Sequence, residues 1–149
     1  MRQYVLIRMG RRDMNVQEIM VAEVVIVDMD TRLSSLNQIL QQEKIHHLLV
    51  VENAELVGIV SDRDILRTIS PFLDTPNEQP KDRHTLDIKT HHIMSRNPIT
   101  VSGDTSLREA IILLVSNDIS CLPVINGENK IAGIITWKDL LEWSVDALR

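Results

Sequence analysis

Apolar positions along this chain switch between two spacings, and the switch occurs twice in the same order. Val24-Val25-Ile26-Val27 is a short β-branched run that predicts a strand. Leu33, Leu36, Ile39 and Leu40 then fall on one face at helical spacing, with Asp30 or Thr31 positioned to cap that helix. Two further apolar runs, 48–51 and 56–60, predict strands joined by the hairpin-length connection Glu52-Asn53-Ala54-Glu55. Ser61 opens a second helix that carries Ile65, Leu66 and Ile69. In the second half, residues 99–101 predict a strand, and Leu107, Ala110, Ile111 and Leu114 line a helix. Residues 122–125 and 131–135 predict a hairpin with Asn126-Gly127 as its turn, and 139–145 a last helix.

The recurrence is one of residues as well as of pattern. Ile45-His46-His47-Leu48-Leu49-Val50-Val51 returns 74 positions later as Ile119-Ser120-Cys121-Leu122-Pro123-Val124-Ile125. Ile19-Met20 pairs with Ile93-Met94 at the same offset, and Asp30-Thr31-Arg32-Leu33 with Asp104-Thr105-Ser106-Leu107. After a one-residue insertion, residues 56–66 return as 131–141. Such a repeat is one supersecondary unit used twice. The expected fold is α+β, with two tandem β-α-β-β-α repeats packed face to face about a pseudo-two-fold axis. Neither repeat buries much core alone, so the pairing covers the apolar surface left over. The expected division is an N-terminal arm (1–15), repeat 1 (16–70), an irregular linker marked by Pro71, Pro76 and Pro80 (71–87), and repeat 2 (88–149). The arm carries Arg2, Arg8, Arg11 and Arg12 and lies outside the repeat, so it is expected to be poorly ordered unless tied down. The alternatives are an added edge strand through Tyr4 to Ile7 and a start codon assigned too early, with Met14 opening the repeat.

Composition narrows the class. Of 149 residues, 44% are apolar, which suits a globular chain and excludes disorder. No apolar run approaches membrane-spanning length, and the apolar part of the N-terminus is too short for a secretory signal. One cysteine, Cys121, sits in an apolar strand and reads as a buried structural thiol in a reducing cytoplasm. A net charge of −5 and four aromatic side chains argue against a nucleic-acid surface.

The candidate chemistry lies where each repeat's last strand meets its last helix. Gly58-Ile59-Val60-Ser61-Asp62-Arg63-Asp64 and Gly133-Ile134-Ile135-Thr136-Trp137-Lys138-Asp139 each place a hydroxyl at the strand end, a base two residues on and an aspartate three residues on. A helix start presents unpaired N–H groups and a positive dipole end, which suit a phosphate. Ser61 or Thr136 can donate to it and Arg63 or Lys138 can neutralise it. Asp64 or Asp139, which only accept hydrogen bonds, suit a pair of ribose hydroxyls. The same spacing also reads as a helix capping box that needs no ligand. A base between hydroxyl and acid is not required by a cap, yet both repeats have one.

The repeat resembles the cystathionine-β-synthase (CBS) domain, and the tandem pair resembles a Bateman module over nearly the whole chain. The residues that carry the resemblance are Ile93-Met94, Asn97-Pro98-Ile99-Thr100-Val101, Leu122-Pro123-Val124 and the two Gly-x-x-(Ser/Thr)-x-x-Asp segments. The chain also resembles bacterial CBS proteins of the acetoin-utilisation type, without their further C-terminal domain. The resemblance implies an adenine nucleotide or S-adenosylmethionine as a regulatory ligand, no required cofactor and no catalysis. It implies ribose held by Asp64 or Asp139, and phosphate approached by Ser61, Thr136, Arg63, Lys138 and the position of His46, where repeat 2 has Ser120. It implies adenine near Val25 and Leu48 in one site and near Ile99, Thr100 and Leu122 in the other. It also implies a homodimer, through a helix face that includes Trp143 and Val145. Repeat 1 departs from the pattern with Glu23 where repeat 2 has Asn97-Pro98 nearby and Leu49 where it has Pro123, and Glu23 and Asp28 would oppose an anionic ligand if they face the cleft. The alternative function is a ligand-independent dimerisation or scaffold protein. The protein target is not named by the sequence, and His46-His47 and His91-His92 lack the spacing of a metal site.

Overall fold

The structure is a computed structural model, and it describes residues 14–148; the N-terminal arm expectation lies outside the described residues. Its elements are β1 (Ile26–Asp28), α1 (Leu33–Glu43), β2 (His47–Glu52), β3 (Glu55–Ser61), α2 (Asp62–Thr68), α3 (Pro80–Arg83), α4 (Thr90–Ile93), β4 (Ser95–Arg96), α5 (Leu107–Asn117), β5 (Cys121–Ile125), β6 (Ile131–Thr136) and α6 (Trp137–Ala147). β1 pairs parallel with β2, and β2 antiparallel with β3. The helix stripes are buried as their spacing requires: Leu33, Leu36 and Leu40 from α1, and Leu107, Ala110 and Leu114 from α5. Each repeat has its own apolar core, one around Leu36, Leu48, Val60 and Ile65 and one around Ala110, Leu122, Val124 and Ile135.

The repeats are locked by exchange of their lead-in segments, and the main exchanged contacts have counterparts. β4, from repeat 2, adds to β3 of repeat 1 through Gly58↔Arg96 and Ile59↔Ser95. Val21, from repeat 1, bridges Ile134 of β6 in return. The first N–H of α1, at Leu33, donates to the Ile88 carbonyl at 2.8 Å, and that of α5, at Leu107, donates to the Met14 carbonyl at 3.0 Å. Each helix start is thus capped by backbone from the other repeat. Gly58 and Gly133 allow the exchange. A Cβ on Gly58 would lie 2.7 Å from the Met94 Sδ, and one on Gly133 would lie 2.7 Å from the Val21 carbonyl oxygen and 2.8 Å from the Met20 Sδ. Met94 on Gly58 and Met20 on Gly133 are thus pseudo-two-fold counterparts, each seated on the opposite repeat's glycine.

Several local expectations are corrected. The first strand is Ile26–Asp28 rather than 24–27; its pairing with β2 begins at Ile26↔Leu49, and Val24 and Val25 before it line a cleft. Asp30 and Thr31 do not cap α1; Arg32 is the N-cap and the cross-repeat carbonyl replaces a side chain. Leu66 and Ile111 are exposed, at the solvent edges of their helices. Residues 99–101 form no extended strand; Val101 alone bridges Val124. Asn126-Gly127 does turn the second hairpin, but as part of a longer loop. Asn126 N–H donates to the Lys130 carbonyl, its Oδ1 accepts from Glu128 and Lys130 N–H, and Asn129 takes the positive φ of 58°. In the first hairpin Asn53 and Ala54 both have positive φ, 50° and 63°, as a two-residue type I′ turn demands. The linker contains α3 and a 3₁₀ turn at His84–Asp87. Buried Asp82 organises it, accepting from Ser70 Oγ at 2.8 Å and Gln79 N–H at 2.7 Å.

Candidate functional site

The exchange of segments leaves a cleft of about 510 Å³ between the repeats. One wall is the lead-in to β1, with Val21, Glu23, Val24 and Val25; the floor includes Ile45, Leu49 and Ile134. The polar rim comes from both repeats: Lys44, His46, His47, Ser61, Asp62 and Arg63 from one, and Ser120 with Thr136, Trp137, Lys138 and Asp139 from the other. Backbone bonds hold these turns in register. The Asp62 N–H donates to the His46 carbonyl at 3.0 Å, and its counterpart Trp137 N–H to the Ser120 carbonyl at 3.1 Å.

Both hydroxyl–base–acid segments are capping boxes. Asp64 Oδ2 accepts from the Ser61 N–H and Oγ, each at 2.8 Å, while Ser61 Oγ accepts from the Asp64 N–H at 3.2 Å. Asp139 Oδ2 accepts from the Thr136 N–H and Oγ1, each at 2.7 Å. Capping uses one carboxylate oxygen. Oδ1 of each aspartate has no hydrogen-bond donor among the described residues. Cap and ligand readings are thus compatible in one side chain.

The neighbouring histidines both line the cleft but take different partners. His46 is exposed and its Nδ1 lies 2.8 Å from Asp62 Oδ2. His47 is half-buried and its Nε2 lies 2.9 Å from Ser120 Oγ, a direct link between repeats. Burial disfavours the His47 imidazolium and holds its pKa below the usual 6.5. Trp137 donates from Nε1 to the Ile119 carbonyl at 2.9 Å and walls the cleft. Cys121 is buried, and desolvation pushes its thiol up to about 12, far from nucleophilic.

Of the expected site residues, the cleft gathers Val25, His46, Ser61, Arg63, Ser120, Thr136, Lys138 and Asp139. Asp64, Ile99 and Thr100 lie outside its lining. Leu48 and Leu122 are fully buried core side chains, and Leu49 faces the cleft beside Val25. Glu23 does face it, whereas Asp28 does not: Asp28 Oδ1 accepts from the Asp30 N–H and Thr31 Oγ1. Lys44, Val21 and His47 went unrecognised as cleft residues. No periodicity marks them, and only the 74-residue alignment, which sets Lys44 against Asp118, draws attention to the first.

The chain is thus a pair of α+β repeats that exchange lead-in segments around a shared cleft. The family model for the CBS domain matches residues 16–71 and 90–146, so the chain belongs to the CBS-domain family and forms a single CBS pair. It is 33% identical over 135 residues to a CBS domain-containing protein of Dictyostelium discoideum, covering 89% of this chain and 92% of that one. Other curated relatives are longer, and the chain spans 44% or less of the length of some. Among solved structures, the AcuB protein from Vibrio cholerae, of the acetoin-utilisation type, shares the fold at a TM-score of 0.74 and 23% identity, covering 91% of this chain and 93% of that one. CBSX2, a CBS-pair protein from Arabidopsis thaliana, solved in complex with AMP, is similar at a TM-score of 0.75 and 25% identity, covering 91% of this chain and 99% of that one. Among the described residues no helix is long and apolar enough to cross a membrane, and no group of acidic, histidine or cysteine side chains is placed to hold a metal.

Proposed function

We propose that this CBS pair is a regulatory module that binds an adenosine-containing ligand in the cleft and relays its occupancy to a partner protein. The observation that carries the reading is Asp139. Its Oδ2 is committed to the cap of α6, its Oδ1 is left for a donor, and it lines a cleft within the size range of small-molecule sites. In this reading Asp139 accepts from the ribose hydroxyls and Val21, Val25, Ile45 and Leu49 enclose the base. Arg63, Lys138, Thr136, Ser61, Ser120 and His46 line the side open to phosphate. The AMP held by the similar CBSX2 supports a ligand of this class. Asp64, with Ile99 and Thr100, belongs to the pseudo-equivalent face. Binding shifts the module only through its different affinity for two states, typically worth about 1–3 kcal/mol. We further propose a homodimer through the exposed apolar face of α5 and α6 and a cytoplasmic setting.

The test is thermal unfolding with AMP, ADP, ATP, NAD or S-adenosylmethionine. A ligand at one hundred times its Kd adds about 2.7 kcal/mol, an increase of roughly 5–10 °C in Tm for a chain of this size. Asp139→Ala should lose that increase and about 0.5–2 kcal/mol of stability through the cap. Asp64→Ala should lose a similar stability and keep the response in this cleft. Absence of a response to every ligand in the folded wild type would leave the ligand-independent scaffold as the better reading.

A further inference from the structure

Resting on that reading, we infer that the cleft selects a 5′-phosphorylated ligand over the neutral nucleoside, and that Lys44 is a specificity-determining residue for the phosphate. Lys44 ends α1 in the left-handed conformation, φ 54°, and its backbone N–H donates to the Leu40 carbonyl. Its side chain is exposed, lines the cleft and has no ion-pair partner among the described residues. Two residues on stands His46, whose carbonyl holds the turn that carries Arg63. Arg63 is likewise exposed in the cleft and without an ion-pair partner among the described residues. Two uncommitted cations therefore stand on adjoining turns of one rim.

The lining carboxylates have partners other than Lys44 and Arg63. Asp62 Oδ2 lies 2.8 Å from His46 Nδ1, and Asp139 is tied into the α6 cap. Lys138, from the other repeat, keeps only a loose contact with Glu142 at 3.6 Å. Glu23 is the one carboxylate of the lining with no such commitment, and it lies on the lead-in to β1.

The repeat supplies an internal comparison. The residue equivalent to Lys44 is Asp118, with the same left-handed backbone, φ 52°, and its N–H likewise donates to the carbonyl four residues back, that of Leu114. Backbone geometry at this cap favours glycine or asparagine, not lysine. The two repeats thus share the bend and reverse the charge, so the lysine is not explained by the fold of the turn. A cation at this rim gains by charge-assisted bonding to a phosphate, and an aspartate there would repel one.

Isothermal titration of the full chain with AMP and with adenosine tests the assignment, using wild type, Lys44→Ala and Lys44→Asp, with thermal unfolding to show each variant folded. AMP is expected to bind wild type about tenfold or more tighter than adenosine. Lys44→Asp is expected to remove most of that preference, and Lys44→Ala part of it, while adenosine affinity stays unchanged. Equal affinity of wild type for the two ligands, or a Lys44→Asp that weakens both alike or neither, overturns the role of Lys44 and leaves the adenosine site standing. Failure of both ligands to bind wild type overturns the inference and the proposed function together.

Discussion

At the scale of single residues, the site is built from side chains that already have structural duties. Asp139 caps α6 with one oxygen and keeps the other. His47 both lines the cleft and reaches Ser120 of the other repeat. Its imidazole is held below the usual 6.5 mainly by desolvation, so the folded protein binds fewer protons here than the unfolded chain. The associated stability is fully present above about pH 6.5 and is lost as pH falls from there through the lowered folded pKa. His47→Gln, which keeps a polar group opposite Ser120 but does not titrate, is expected to flatten urea stability against pH across that interval. An unchanged slope would remove His47 as its source. The hydroxyl–base–acid spacing was legible because it is local. Lys44 and Val21 were not, because they reach the cleft only through the cross-repeat topology.

At the scale of elements, local periodicity and cross-repeat contacts divide the work. The buried stripes of α1 and α5 follow from apolar spacing within eight residues, so they could be read directly. The start of α1 could not, because its cap is the Ile88 carbonyl from the other repeat. The two glycines differ in a way that tests the exchange of segments. On Gly58 the nearest obstacle to a methyl is the flexible end of Met94, with the Ser95 carbonyl oxygen at 3.1 Å. On Gly133 it is the Val21 backbone carbonyl, which bonds Ile134 N–H at 2.9 Å and cannot retreat without breaking that bridge. Gly133→Ala is therefore expected to cost about 1–3 kcal/mol in urea unfolding, and Gly58→Ala clearly less. Equal costs would mean that the lead-in of repeat 1 shifts as freely as a methionine side chain.

At the scale of the whole molecule, the pseudo-two-fold relation makes each repeat a control for the other. Backbone contacts obey it closely, whereas the outer helix faces do not. Ile111, Ile112 and Val115 of α5 are exposed, and their counterparts on α1 are Asn37, Gln38 and Gln41. Val145 is exposed on α6, and its counterpart is Ser70. On α2 the counterpart of Leu141 is Leu66, itself 72% exposed, so the contrast lies along α5 and at Val145, where repeat 2 alone is apolar, and the proposed homodimer would cover that face. A two-fold axis through α5 and α6 would bring this face against itself, satisfying an isologous interface with one patch. Val115 and Leu141 are 56% and 60% exposed, so charge there leaves the protomer core untouched. Sedimentation velocity at micromolar concentration is expected to give a dimer for the wild type and a monomer for Val115→Glu/Leu141→Glu, with the Tm of the variant reporting only the lost association. A monomeric wild type would reject the homodimer. A dimer that survives both glutamates would place its interface elsewhere, and the polar face of repeat 1 would be the next to test.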